Sequence, residues 1–187
     1  MIRKKEIEEA VVSILNAIGE DPGREGLKDT PQRVARMYSE LFAGIADDPV
    51  KALTTVFEEV DFRDPVMLRN VSFFSVCEHH MLPFFGHVHM GYLPSGRVAG
   101  ASKLIRALEV LAARPQLQER MTAELADAIN NALNPDGVVV VVEAEHLCMV
   151  MRGVKKIGST IVSMAARGSF VGGSLSKEDL SSLVKGT

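Results

Sequence analysis

Cysteine is scarce here: two residues in a chain of 187. That is too few for a disulfide framework and leaves a metal-binding or reactive pair as the alternative. Apolar runs long enough to span a bilayer are absent, and the N-terminus has no apolar signal core. We therefore expect a cytoplasmic protein with no membrane partner. A strong charge of one sign is missing too. The net charge of −3 provides no basic field for nucleic acid, so any anionic ligand must be held by a local cluster. Internal repeats and low-complexity tracts are also absent, which excludes solenoids and tails. What is present is an ordinary 47% hydrophobic content, enough for one well-packed domain with a helical extension.

The elements follow from spacing. Ile7, Val11, Ile14 and Ile18 recur at helical period, and Gly19 is a stop. After a polar, glycine-rich loop, Thr30 as N-cap and Pro31 at the first position start a second helix that ends near Gly44. Thr54–Phe57 reads as a short strand. Val66–Val76 favours a longer strand that delivers Cys77 at its end, and Phe84–Leu93 a partner for it. A turn at Pro94-Ser95-Gly96 leads to a helix over 102–114. Pro115 starts a second helix with Leu117, Met121, Leu125, Ile129 and Leu133 on one face. Asn134-Pro135-Asp136-Gly137 breaks it. Val138–Val142 is an unbroken β-branched strand expected to continue past His146 to Met151. Gly158–Ala165 is a further strand, Gly172-Gly173 a hinge, and Ser176 with Asp179 a cap for a short terminal helix. This order predicts an α+β fold: N-terminal helices over 1–48, then a second unit over 49–187. That unit is a four-stranded antiparallel sheet with a helix pair on one face.

Both cysteines and three of the five histidines fall in two stretches, Cys77-Glu78-His79-His80 and His146-Leu147-Cys148. Cys77 and His80 have the spacing of two ligands on one turn. On a continuing strand, His146, Cys148 and Arg152 would share one face, with Leu147, Met149 and Met151 on the other. Spacing alone leaves two readings open, a metal site or two buried structural cysteines. Two cysteines and one histidine would leave a fourth zinc position for water, with other histidines near to move protons. His87 and His89 read as structural. Ser102 and Lys103 open a helix after Gly100, and Arg106 lies one turn on; taken alone the pattern reads as a solvated helix face, with a phosphate site as the weaker alternative. Arg33 reads as a solvated arginine, and Glu119 as a complement to its helix dipole.

Taken in order, the motifs resemble the GTP cyclohydrolase I family. They are Gly19-Glu20-Asp21-Pro22 with Arg24-Glu25-Gly26-Leu27, Asp29-Thr30-Pro31-Gln32-Arg33, Cys77-Glu78-His79-His80 and Gly100-Ala101-Ser102-Lys103-Leu104-Ile105-Arg106. Further on come Arg114-Pro115-Gln116-Leu117-Gln118-Glu119-Arg120, then His146-Leu147-Cys148 with Met151-Arg152-Gly153-Val154. The resemblance covers about Ile7 to Phe170. It implies Cys77, His80 and Cys148 as ligands of one zinc ion per subunit, with His79 and His146 moving protons. It implies Gln118 and Glu119 as the guanine-recognising pair. Arg33, Lys103, Arg106 and Arg152 become triphosphate contacts, and Ser102 lies near the ribose and phosphate. The implied substrate is GTP. Zinc-activated water adds at C8, formate leaves, and an Amadori-type rearrangement gives 7,8-dihydroneopterin triphosphate for pterin or folate synthesis.

The resemblance also implies a tunnelling fold, with sheets from several subunits closing into a barrel. The expected assembly is a homodecamer with active sites between subunits. Two stretches depart from the usual pattern, Thr160-Ile161-Val162-Ser163 and His89-Met90-Gly91-Tyr92; neither touches the ligand set. The same fold in a pterin synthase or a deazaguanine nitrile reductase is the rival enzyme reading, and a zinc that only staples the sheet is the non-enzymatic one. Glu78 has no role on sequence grounds.

Overall fold

The β-branched run at Val138–Val142 forms the middle of strand β6 (Gly137–His146), with all five valines buried. Its neighbours are β3 (Pro83–Leu93) and β7 (Thr160–Gly168), both antiparallel to it. In turn β3 pairs antiparallel with β2 (Val66–Cys77). The structure is a computed structural model and describes residues 2–54, 56–58 and 61–171. The expectations for Gly172-Gly173 and for Ser176 with Asp179 lie outside those residues.

Beyond the short helix α3 (Pro49–Ala52), two longer helices pack on one face of this sheet, α4 (Ala101–Ala112) and α5 (Gln118–Leu133). Met121, Leu125, Ile129 and Leu133 of α5 are fully buried, as their helical spacing predicts. They meet Val138, Val140 and Val142 from β6 and Phe84, Val88, Met90 and Tyr92 from β3 in one core. Burying such side chains contributes about 1.5–3 kcal/mol each. Asn134 ends α5 in the left-handed conformation (φ 47°), a role that suits asparagine.

Three expectations need correction. Pro115 does not start a helix. Pro115–Gln116 is a two-residue strand, β5, parallel to the end of β2, so the sheet has five strands in the order β5-β2-β3-β6-β7. Its pairing with Cys77 outweighs the local tendency of proline to open a helix. Strand β6 stops at His146, and Leu147–Val150 turns into a short helix, α6, rather than extending to Met151. The turn at 94–96 is followed by a strand, β4 (Arg97–Ala99), which pairs with β1 (Val56–Glu58) in a separate two-stranded sheet.

Backbone contacts divide the chain into two units, Met1–Ala43 and Gly44–Thr187, whereas the expected boundary was 48/49. The first unit holds α1 (Lys4–Ala17) and α2 (Thr30–Leu41) packed together. In α1 the buried residue is Leu15, while Ile14 and Ile18 stay exposed. In α2 the helix begins one residue earlier than expected, so Asp29 and not Thr30 holds the cap position.

Candidate metal centre and active site

Strand β2 carries Cys77 to the edge of the core, where the side chain is 5% exposed. A tight turn follows: the Met81 N–H donates to Cys77 O at 2.9 Å and the Cys77 N–H to Leu82 O at 2.9 Å. Met81 takes φ 53°, an uncommon value for a non-glycine residue. The Glu78 N–H donates to Gln116 O at 3.0 Å, which ties the turn to β5. The Glu78 carboxylate pairs with Arg120 on α5, and Arg120 holds it below the usual carboxylate range. Arg120 also donates to Gln116 Oε1 at 3.1 Å. Glu78, without a role on sequence grounds, thus braces the turn that bears Cys77, His79 and His80.

His146 ends β6 directly beside this turn, since Phe84 of β3 is its register partner. Its ring stacks on Phe84 with centroids 4.6 Å apart and planes 8° from parallel. Its Nε2 lies 2.8 Å from Gln118 Oε1. Burial lowers its proton affinity, only partly offset by the Glu119 carboxylate. Cys148 follows on α6. Burial, and then the neighbouring Cys77 thiol, push its own thiol pKa up.

Among the described residues, Cys77, His146 and Cys148 form the group of donors suited to a metal ion: their ligand atoms lie within 4.8 Å of one another. Two sulfurs and an imidazole nitrogen in that space match the softness a zinc ion prefers. The expected strand parity of His146 and Cys148 does not produce this meeting; the strand end followed by a helical turn does. His80 stands outside the group and is exposed, with Nε2 3.2 Å from the Arg152 guanidinium. A cavity of about 240 Å³ opens beside the thiols, lined among others by His79, Gln118, Glu119, His146 and the two cysteines.

The remaining residues singled out in the sequence fall elsewhere. Ser102, Lys103 and Arg106 lie in the first two turns of α4, with Ser102 and Arg106 exposed, and none lines the cavity. Arg33 on α2 donates to Gly26 O at 3.2 Å and Thr30 Oγ1 at 3.1 Å and pairs with Asp29. Gln118 reaches His146 across 28 residues of chain and Arg120 reaches Glu78 across 42, so no local pattern could have joined either pair.

The GTP cyclohydrolase I family profile matches residues 7–185. A GTP cyclohydrolase 1 of Halalkalibacterium halodurans is 55% identical over 183 residues, covering 97% of each chain. Its namesake in Geobacillus sp. is 54% identical, covering 99% of this chain and 98% of that one. A Streptococcus pyogenes serotype M18 protein of that name is 52% identical, covering 98% and 94%. Among solved structures, apo archaeosine synthase QueF-Like overlaps 56% of this chain and 93% of its own at TM-score 0.43 and 23% identity, too loose a likeness to carry an argument. By profile and by near-complete alignment, this chain belongs to the GTP cyclohydrolase I family.

Proposed function

We propose that this protein converts GTP to 7,8-dihydroneopterin triphosphate and formate, using zinc bound at the Cys77–Cys148 pair. The observation that carries the reading is the shared cavity: two thiols and an imidazole stand beside the Glu119 carboxylate in one recess. A zinc ion held there would supply a Lewis acid that makes water nucleophilic near neutral pH.

We assign Cys77, His80 and Cys148 as the ligands and keep His146 and His79 for proton transfer. His146 is the histidine that now lies with the two thiols, but its ring is stacked on Phe84 and bonded to Gln118. A residue that exchanges protons with substrate must keep a nitrogen open to it. His80, exposed and in polar contact with the Arg152 guanidinium, can trade that contact for a metal. Glu119 binds the amino edge of guanine through charge-assisted hydrogen bonds. Arg33, Lys103, Arg106 and Arg152 take the triphosphate, with Ser102 beside the ribose. Holding base and triphosphate at opposite ends pins C8 for attack, so that binding far from the reacting carbon lowers the barrier. The imidazole ring then opens, C8 leaves as formate, and the ribose rearranges and recloses on the base.

The basic residues of α4 do not line the cavity within one chain. We infer that subunits complete one another's sites in a homo-oligomer, a decamer by family resemblance. No helix among the described residues is long and apolar enough to cross a membrane. The test is incubation with GTP, with and without a chelator. The metal-replete protein should release formate and a product that becomes a fluorescent pterin on oxidation. Metal-replete, assembled protein that yields neither would overturn the reading.

A further inference from the structure

The side chain of Gln118, at the start of α5, is 1% exposed and fully engaged within the chain. Its amide nitrogen donates to Val142 O at 3.0 Å, Ile161 O at 2.9 Å and Ser163 Oγ at 3.0 Å. Carbonyl oxygens only accept, so the NH₂ group must face β6 and β7. Flipping the amide would set its oxygen against two carbonyl oxygens. The hydroxyls beyond it are ordered in the same sense. Thr122 donates its proton to Gln118 O at 2.7 Å, so in the 2.7 Å contact between Thr122 Oγ1 and Ser163 Oγ the serine donates. Ser163 Oγ is then left as an acceptor toward Gln118.

With its nitrogen fixed, Gln118 has one atom to offer His146: Oε1, 2.8 Å from Nε2. An amide oxygen cannot donate, so Nε2 carries the hydrogen and the lone pair of the neutral ring lies on Nδ1. The Phe84 stack fixes the plane of the ring but is indifferent to which nitrogen holds the proton. We propose that Gln118 is a positioning residue that holds the His146 ring with its hydrogen on Nε2, leaving Nδ1 as the nitrogen open to substrate. The inference rests on the assignment of His146 to proton transfer. It also moves Gln118 away from reading guanine with its side chain, because that amide has no free end, and leaves that task to Glu119. A protonated Nε2 has no lone pair for a metal, so that nitrogen is removed from the ligand set.

The test is solid-state nitrogen-15 NMR of the full zinc-loaded protein with labelled histidine, the ring signals of His146 being those missing from His146→Asn. Wild type should show a protonated Nε2 and a bare Nδ1. Gln118→Met, which removes the acceptor, should give mixed tautomers and lower kcat by roughly 10–100-fold, the usual cost of losing such an outer partner, with KM for GTP little changed. A hydrogen on Nδ1 in wild type, zinc on Nε2, or a Gln118→Met spectrum equal to wild type would each overturn the proposal, and the wild-type spectrum decides the tautomer even where a variant fails to fold. If Gln118→Met scrambles the tautomers while kcat holds, Gln118 does position the ring and it is the proton-transfer role of His146 that fails.

Discussion

At the scale of single residues, the proposed metal ligand Cys148 and the proposed proton carrier His146 differ in where each donor atom is already committed. Cys148 offers a thiol raised by burial and by Cys77, which a metal would convert to thiolate. His146 is already committed at Nε2. We expect Cys148→Ser to lose zinc and turnover together. His146→Ala should retain zinc and lose turnover by about 10²–10⁴-fold, the range for a general acid–base group. Metal content by inductively coupled plasma mass spectrometry, read beside the GTP assay, checks both; metal loss in His146→Ala would make it a ligand. The two cysteines and the turn that bears Cys77, His79 and His80 were legible in the sequence because residues on one turn are close in the chain. The partners of Glu78 and of His146 were not, because each lies on α5, which reaches them only through the packing of helix on sheet.

At the scale of elements, strands were read more faithfully than the joints between them. The β6 run and the α5 stripe appear where their periods placed them. The ends of elements did not, because tertiary pairing decided them: Pro115–Gln116 joined β2, and the chain after His146 turned into α6. Close approach of β3 to β6 depends on Gly86. A Cβ there would lie 1.9 Å from Glu143 O and 2.7 Å from Ala144 Cα, both backbone atoms that cannot swing aside. At Gly91 the nearest atom is Met67 Sδ, at 2.0 Å but on a flexible side chain. We predict that Gly86→Ala destabilises by about 3 kcal/mol, near the upper end for overpacking, and that Gly91→Ala costs clearly less. Urea unfolding of both variants measures this, and equal midpoints would contradict it.

At the scale of the whole molecule, the sheet carries an apolar face that the helices do not cover. Ser163 of β7 and Ser75 of β2 bond toward α5 and α4, so their odd-numbered neighbours face the helices and the even-numbered ones face away. Phe74, Val162 and Met164 on that far side are 69%, 58% and 52% exposed. Among the described residues β7 also has one strand neighbour, a sheet edge that natural proteins cover or pair. In the proposed assembly other subunits bury this face. Val162→Asp should therefore shift the protein to smaller species in size-exclusion chromatography with light scattering, and turnover should fall with assembly. An unchanged mass would place the interface elsewhere.

The periods of the main helices and strands, the α+β order and the motif series that marks the family could all be read along the chain. Those are properties of neighbours along the chain, where spacing translates directly into a shared face or turn. Only the tertiary structure decided that Gln118 meets His146, that Arg120 braces the turn after Cys77, and that His146 rather than His80 lies within reach of both thiols. These contacts join residues that become neighbours only when α5 packs on the sheet, and what directs that packing is the burial of the apolar faces, which is blind to the polar atoms it brings together.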